Sequence, residues 1–228
     1  NNIMHDVDNI INYLDTLSNE LKESFLEPQY ENISISDVAN GLGKAGKVLF
    51  NAGFKAPKAK KAQGKVNDMA TKIAELELAA TDLEDEKKDK IRAKIKAMKK
   101  KKKELQATID DKYKDASKVV QKALMAAKRK GKLDRLDIEI KGATPKQQEE
   151  IKSQLKKIKE KIKDDETAFK KEIDDAKSDA SNKDLQKIKD LQDKNSKKNK
   201  KMQESNTKNY KIARLNNLLL YSYGDRRY

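Results

Sequence analysis

Apolar side chains recur every three or four residues through two long stretches of this chain, and that spacing admits few folds. Val66, Met69, Ile73, Leu76, Ala80 and Leu83 alternate steps of three and four, a heptad seam. Ile151, Leu155, Ile158, Ile162, Phe169, Ile173 and Ala176 make a second seam, with Asp165 in its gap. Such a period gathers the apolar side chains on one face of a helix. Either face alone would leave a stripe of leucine and isoleucine in water, and isolated helices are marginal without packing.

Composition leaves disorder and long helices as the options. Charged residues are 40% of the 228 and apolar residues 36%, a balance that both kinds of chain share. Periodicity, with only 8 Gly and 3 Pro, points to helix. The absence of cysteine excludes a disulfide framework, a cysteine metal site and a cysteine nucleophile. With no Trp and 5% aromatics, a large aromatic-rich core is not expected. No apolar run reaches the roughly 18 residues of a membrane-spanning helix. No basic n-region followed by an apolar h-region opens the chain, so no standard secretory signal is expected.

Four regions follow. Residues 1–27 read as an acidic amphipathic helix on Val7, Ile10, Ile11, Leu14, Leu17, Leu21 and Phe25, ended by Pro28. Residues 28–65 combine a linker, a Gly-rich amphipathic segment and, over 55–65, a basic flexible connector with Pro57 and Gly64. Residues 66–180 are the helical hairpin. Residues 181–228 hold a short helix started by Ser181, through Leu185, Ile188 and Leu191, and a basic aromatic tail.

Within the hairpin, 66–127 reads as one long helix or two joined end to end. The seam resumes at Ile91, Ile95, Met98, Leu105, Ile109, Ala116, Val119 and Ala123. Its phase slips by one residue between Leu83 and Ile91, which marks a bend or a local change of supercoil. Lys87, Lys90, Lys102 and Lys112 occupy seam positions, so packing there is expected to be loose. Residues 128–145 read as a break, with Leu136, Ile138 and Ile140 alternating as a short strand between Gly131 and Gly142. Thr144-Pro145-Lys146-Gln147 is a helix start: Thr as N-cap, Pro at N1, Gln at N3. The expected fold is all-α, an elongated antiparallel helical hairpin or coiled coil with helical and flexible basic extensions.

The net charge of +15 is unevenly spread. Residues 1–35 are −6, 36–65 are +6, 66–127 are +4, 128–145 are +3, 146–180 are neutral and 181–228 are +8. The acidic start next to the first basic stretch allows the two to mask each other within a Debye length, about 8–10 Å. Lysines that would meet phosphates are Lys58, Lys60, Lys61, the run Lys99, Lys100, Lys101, Lys102 and Lys103, and the tail group Lys197, Lys198, Lys200 and Lys201. The plain alternative for each is a solvated helix face. Lysine acts as a point charge and arginine as a bidentate fork, so a lysine-dominated surface predicts contact without sequence preference.

Other constellations lead to ordinary readings. His5 has no second His or Cys near it, so no metal site and no catalytic base are expected. Asp110-Asp111, Asp164-Asp165-Glu166 and Asp174-Asp175 lack the glycine and spacing of a calcium loop and read as ion-pair partners. Gly41, Gly43 and Gly46 are followed by Lys47-Val48 rather than by the Lys-Ser or Lys-Thr of a phosphate loop. Tyr210 to Tyr228 would stack on bases or dock on protein.

The segment from Gly41 to Phe54, GLGKAGKVLFNAGF, resembles cationic amphipathic membrane-active peptides of the magainin type. The resemblance implies that Leu42, Lys44, Lys47, Leu49, Phe50 and Phe54 lie in a lipid interface. The competing reading packs the same face on the hairpin. As a whole, the Lys/Asn-rich, cysteine-free, coiled-coil style resembles internal or tail-associated structural virion proteins of tailed bacteriophages. That resemblance implies a particle component in contact with genome or host membrane. The expected function is thus a non-enzymatic structural or assembly protein, without cofactor, that meets nucleic acid or an anionic surface. The alternatives are a sequence-non-specific nucleic-acid-binding protein and a membrane-active effector acting through 37–56. Expected partners are other structural proteins of an assembly, DNA or RNA through phosphates, and a membrane surface, with the chain oligomeric or part of a larger complex. The expected location is the virion or the cytoplasm.

Overall fold

The computed structural model describes residues 9–17, 19, 39–81, 85–194, 196, 197, 200, 201, 204, 207 and 208. His5, the Pro28 helix end, the linker over 28–36, Lys198 and the tail from Tyr210 lie outside them. The described residues are all-α, with no strand among them. The chain divides into two units, Asn1–Ala180 and Ser181–Tyr228.

In the first unit, helix α1 covers 9–17. Helix α2, Lys44–Phe50, runs through a π-helical turn, Asn51–Lys55, into α3, Ala56–Ala80. Then come α4, Asp85–Tyr113, α5, Lys118–Glu139, a 3₁₀ turn, Ile140–Gly142, and α6, Pro145–Asp179. The flexible connector expected over 55–65 is therefore helix. Pro57 sits in the first turn of α3, and its ring would meet the carbonyl of Gly53 in a regular α-helix. The π turn widens the ladder at that point, and Phe50 and Phe54 stack along it with centroids 5.1 Å apart. Gly64 faces open space, so helix there costs only about 1 kcal/mol relative to alanine.

The one long helix, or two joined end to end, expected over 66–127 is instead parts of three helices that fold back on one another. The phase slip after Leu83 falls where the chain reverses between α3 and α4. Before it, the Thr81 backbone N–H and hydroxyl both donate to the Leu78 carbonyl, at 3.2 and 2.6 Å. A second reversal follows Tyr113. There the Gln121 side-chain amide donates to the carbonyls of Tyr113 and Lys114 and closes the end of α4. The strand expected at Leu136–Ile140 is helical too. Leu133, Leu136 and Ile140 also fit a 3–4 spacing, and Leu136 packs with Leu155 and Ile158 of α6.

Contacts fix the directions. Glu77 meets Lys99 and Gln63 meets Gln106, so α4 runs antiparallel to α3. Asn67 donates to the Ala127 carbonyl at 2.8 Å and Gly142 abuts Leu78, so α5 runs parallel to α3. Lys122 meets Glu172 at 2.5 Å and Arg129 meets Asp165, so α6 runs antiparallel to α5. The four helices thus alternate in direction, each short connection making an antiparallel pair. The main core joins Leu14 and Leu17 of α1, Val66, Met69, Ile73 and Leu76 of α3, Ile91 to Ile109 of α4, and Val119, Val120 and Leu124 of α5.

One polar layer crosses that core. Gln63 is 2% exposed and exchanges two hydrogen bonds of 2.8 Å with Gln106, so no amide group is left bare. Gln63 also donates to Asn67, and Gln106 to Asp110, both at 3.0 Å. Slipping α4 along α3 would break both exchanged bonds at once. Gly131 lets α5 come close to this layer: a Cβ there would lie 2.2 Å from the Asn67 side chain.

Helix α6 begins as its sequence predicts. Thr144 caps it, its hydroxyl accepting from the Gln147 N–H at 3.4 Å, while the Gln147 side chain accepts from the Thr144 N–H at 2.9 Å. In the second unit, helix α7 covers 182–194. Ser181 starts it, its hydroxyl accepting from the Asp184 N–H at 3.2 Å. No helix among the described residues is long and apolar enough to cross a membrane.

Candidate nucleic-acid interface

Within the first unit the expected lysines do not converge on one surface. Lys58 and Lys61 are exposed near the start of α3, and Lys60 stands over the Phe169 ring of α6, 5.0 Å from its centroid. Since Gln63 meets Gln106 and Glu77 meets Lys99, the level of Lys58–Lys61 lies beyond Gln106, toward the far end of α4. The run Lys99–Lys103 is therefore not beside it. Lys197, Lys200 and Lys201 are exposed in the second unit, and Lys198 lies outside the described residues.

The lysine run itself is split by helical geometry. Lys99 pairs with Glu77 of α3, and Lys101 lies 3.8 Å from Asp15 of α1. Part of the acidic N-terminal helix thus meets α4 rather than only the basic stretch over 36–65. Lys102 is on the core side of α4 and half-buried. Loss of water lowers its pKa, and the nearby Arg135 and Lys99 charges lower it further against Glu77. Lys100 and Lys103 are exposed, with no ion pair among the described residues.

The membrane-type segment is also divided. Leu42, Leu49, Phe50 and Phe54 are buried at 9% exposure or less, while Lys44 and Lys47 are exposed. Its apolar face is turned into the protein, so lipid insertion would first have to unpack it.

A basic surface that the lysine run alone does not reveal lies along α4. From Lys87 to Lys103 the chain has 11 basic residues and one acid, Asp89. Averaging charge over 66–127 hides this, because acids at both ends of that stretch reduce its net charge to +4. At 3.6 residues per turn, Lys88, Arg92, Lys96, Lys99 and Lys103 fall within about 80° of arc. They flank the core positions Ile91, Ile95 and Met98, whose burial fixes the rotation of the helix.

Four of these cations line a groove of about 390 Å³ between the end of α3 and α4, with Glu77 and Thr81 opposite. Lys88 donates to the Thr81 carbonyl at 3.2 Å. Arg92 reaches Asp89 at 3.3 Å, an exposed pair that leaves its other donors open to solvent. Lys96 is exposed and has no ion pair among the described residues. Among the described residues two acids therefore face five cations along this flank.

Among the described residues no group of three His, Cys, Asp or Glu side chains is placed to hold a metal ion. The acidic pairs are used in ion pairs: Asp110 with Lys128 at 2.6 Å, Asp111 with Lys114 at 2.9 Å, Asp165 with Arg129, and Asp174 with Lys177 at 3.6 Å. Comparison with protein families, with curated proteins and with solved structures finds no match to this chain.

Proposed function

We propose that this chain is a non-enzymatic structural protein of an assembly that lies against nucleic acid and holds it through phosphates. The observation that carries this reading is the placement of cations on α4. They stand on an exposed helical flank in excess of the acids around them, and the apolar side of the same helix is already buried in protein. A flank of that kind offers charge without an apolar wedge, which suits a hydrated polyanion better than the interior of a bilayer. Its cations are mostly lysines, so the reading includes no base preference. The resemblance to phage virion proteins supports placing the assembly in a particle.

The test is a binding titration of the full chain with duplex DNA and with RNA at several salt concentrations. Binding at 50 mM salt that falls steeply toward 200 mM, equally for unrelated sequences, is the expected result. No binding at 50 mM, or binding indifferent to salt, removes nucleic acid from the proposal and leaves a role facing other proteins.

A further inference from the structure

We infer that Lys88, Arg92, Lys96, Lys99 and Lys103 form one phosphate-tracking stripe that seats a single nucleic-acid strand along α4; this rests on the reading above. The geometry is linear. These residues follow one another at steps of four, four, three and four, so their charges line up along the helix axis. The stripe spans about 22 Å at 1.5 Å per residue. Successive phosphates of one strand rise about 3.4 Å along the duplex axis but wind around it, about 6–7 Å apart along the backbone, so about three or four of them face a stripe of that length. Five cations are enough to meet them on one strand without crossing to the other.

The groove beside the stripe adds direction. Lys88, Arg92, Lys96 and Lys99 all open onto the same cavity of about 390 Å³. The fifth cation, Lys103, prolongs the line past its end. Glu77 neutralises Lys99 in part and sets it across the groove, as Asp89 does in part for Arg92, which leaves Lys96 and Lys103 without an ion pair among the described residues. Among the described residues no aromatic side chain lies on this flank, and Tyr113 is ten residues beyond Lys103. The stripe itself thus offers no base stacking and reads backbone alone. No large apolar side chain of α4 is exposed either. That favours nucleic acid over an anionic lipid surface, for which cations normally flank an inserted apolar face.

The deciding experiment compares two triple variants of the full chain with equal change in net charge. One is Lys88→Glu/Arg92→Glu/Lys96→Glu on α4. The other is Lys156→Glu/Lys159→Glu/Lys163→Glu on α6, at positions that are all exposed. Duplex DNA is titrated at 50, 100 and 200 mM salt, with phosphatidylglycerol vesicles as a second probe. The α4 variant is expected to bind DNA at least tenfold more weakly at 50 mM. Its log–log salt slope should flatten by about 2.7, at roughly 0.9 per lost phosphate contact. The α6 variant is expected to change much less. Equal weakening in both variants would overturn the stripe while leaving nucleic-acid binding itself in place. Wild-type chain that binds no DNA would remove both. Wild-type chain that prefers vesicles, with the preference lost only in the α4 variant, would overturn the stripe as a nucleic-acid site. Circular dichroism checks helicity in each variant. If the charge reversal loses helix, Lys88→Gln/Arg92→Gln/Lys96→Gln replaces it, and wild-type affinity in that folded neutral variant overturns the proposal.

Discussion

Helices α4 and α6 are both long, lysine-rich and amphipathic, yet they use their charge differently. α4 has 12 basic and 6 acidic residues in 29, and α6 has 10 of each in 35. In α6 the acids alternate with the lysines. Glu149 and Asp174 pair within the helix, with Lys152 and Lys177, while Asp165 and Glu172 reach across to Arg129 and Lys122 of α5. In α4 the acids sit toward the two ends, and the middle is left almost wholly cationic. Lysine count is similar; the spacing of the acids makes one helix a structural strut and the other a charged surface.

Their cores differ as well. α4 buries Ile91, Ile95, Met98, Leu105 and Ile109 in the main cluster, while Leu155 and Ile158 of α6 join Leu136 in a small separate one. The strongest challenge to this contrast is a pair of truncations read by urea unfolding. Ile109→Ala, at a fully enclosed site, is expected to cost about 3–5 kcal/mol, and Ile158→Ala about 2 kcal/mol or less, since a site at 9% exposure collapses more easily. Equal losses would mean that α6 is held as firmly as α4.

A smaller effect isolates how α6 begins. Thr144→Ala removes the N-cap acceptor and should lower stability by about 1 kcal/mol in thermal unfolding. No change would show that packing on α5, rather than the cap, defines that end.

The smallest effect concerns the core-facing lysine of α4. Lys102 stands in a place that disfavours its charge. Its folded pKa is depressed, so between that value and the ordinary 10.5 the unfolded chain holds more protons and stability rises with pH. Lys102→Met keeps the stem and drops the charge. It should stabilise the protein at pH 7 by about 0.5 kcal/mol or less, because solvent screens a half-exposed side chain. The alkaline rise in stability should shrink by the same step. A destabilised variant would show that the ammonium group is satisfied by its surroundings. DNA binding should stay near wild type, since Lys102 lies off the exposed flank.

The helical class was legible because periodicity is local. Val66 to Ala80 and Ile151 to Ala176 declare their faces within a few turns, and Thr144-Pro145 with Gln147 declares a start. The reversals were not legible. A seam such as Ile109, Ala116, Val119 and Ala123 keeps its 3–4 steps whether the chain runs straight or doubles back between Tyr113 and Lys118. The strand reading of Leu136, Ile138 and Ile140 failed for a related reason: a few apolar residues fit two periods, and α6 packing against one of them decides. The stripe on α4 was half visible. Lys99–Lys103 drew attention by adjacency, but adjacency scatters side chains round a helix. Lys88, Arg92, Lys96 and Lys99 share a flank by helical period alone, but only the rotation of α4, set by burial of Ile91, Ile95 and Met98, turns that flank outward.

The sequence by itself determined helix in the two long seams, the cap at Thr144 and the excess of positive charge, because backbone period, local hydrogen bonds and formal charge depend on neighbours in the chain. Tertiary structure decided where the chain turns, which face of each helix is buried and which lysines stand together. Those depend on burying each apolar stripe against another and on satisfying Gln63 and Gln106 as they meet. The amide exchange joins residues 43 positions apart, and even the near pair Leu136 and Leu155 is 19 apart, beyond the reach of any local pattern.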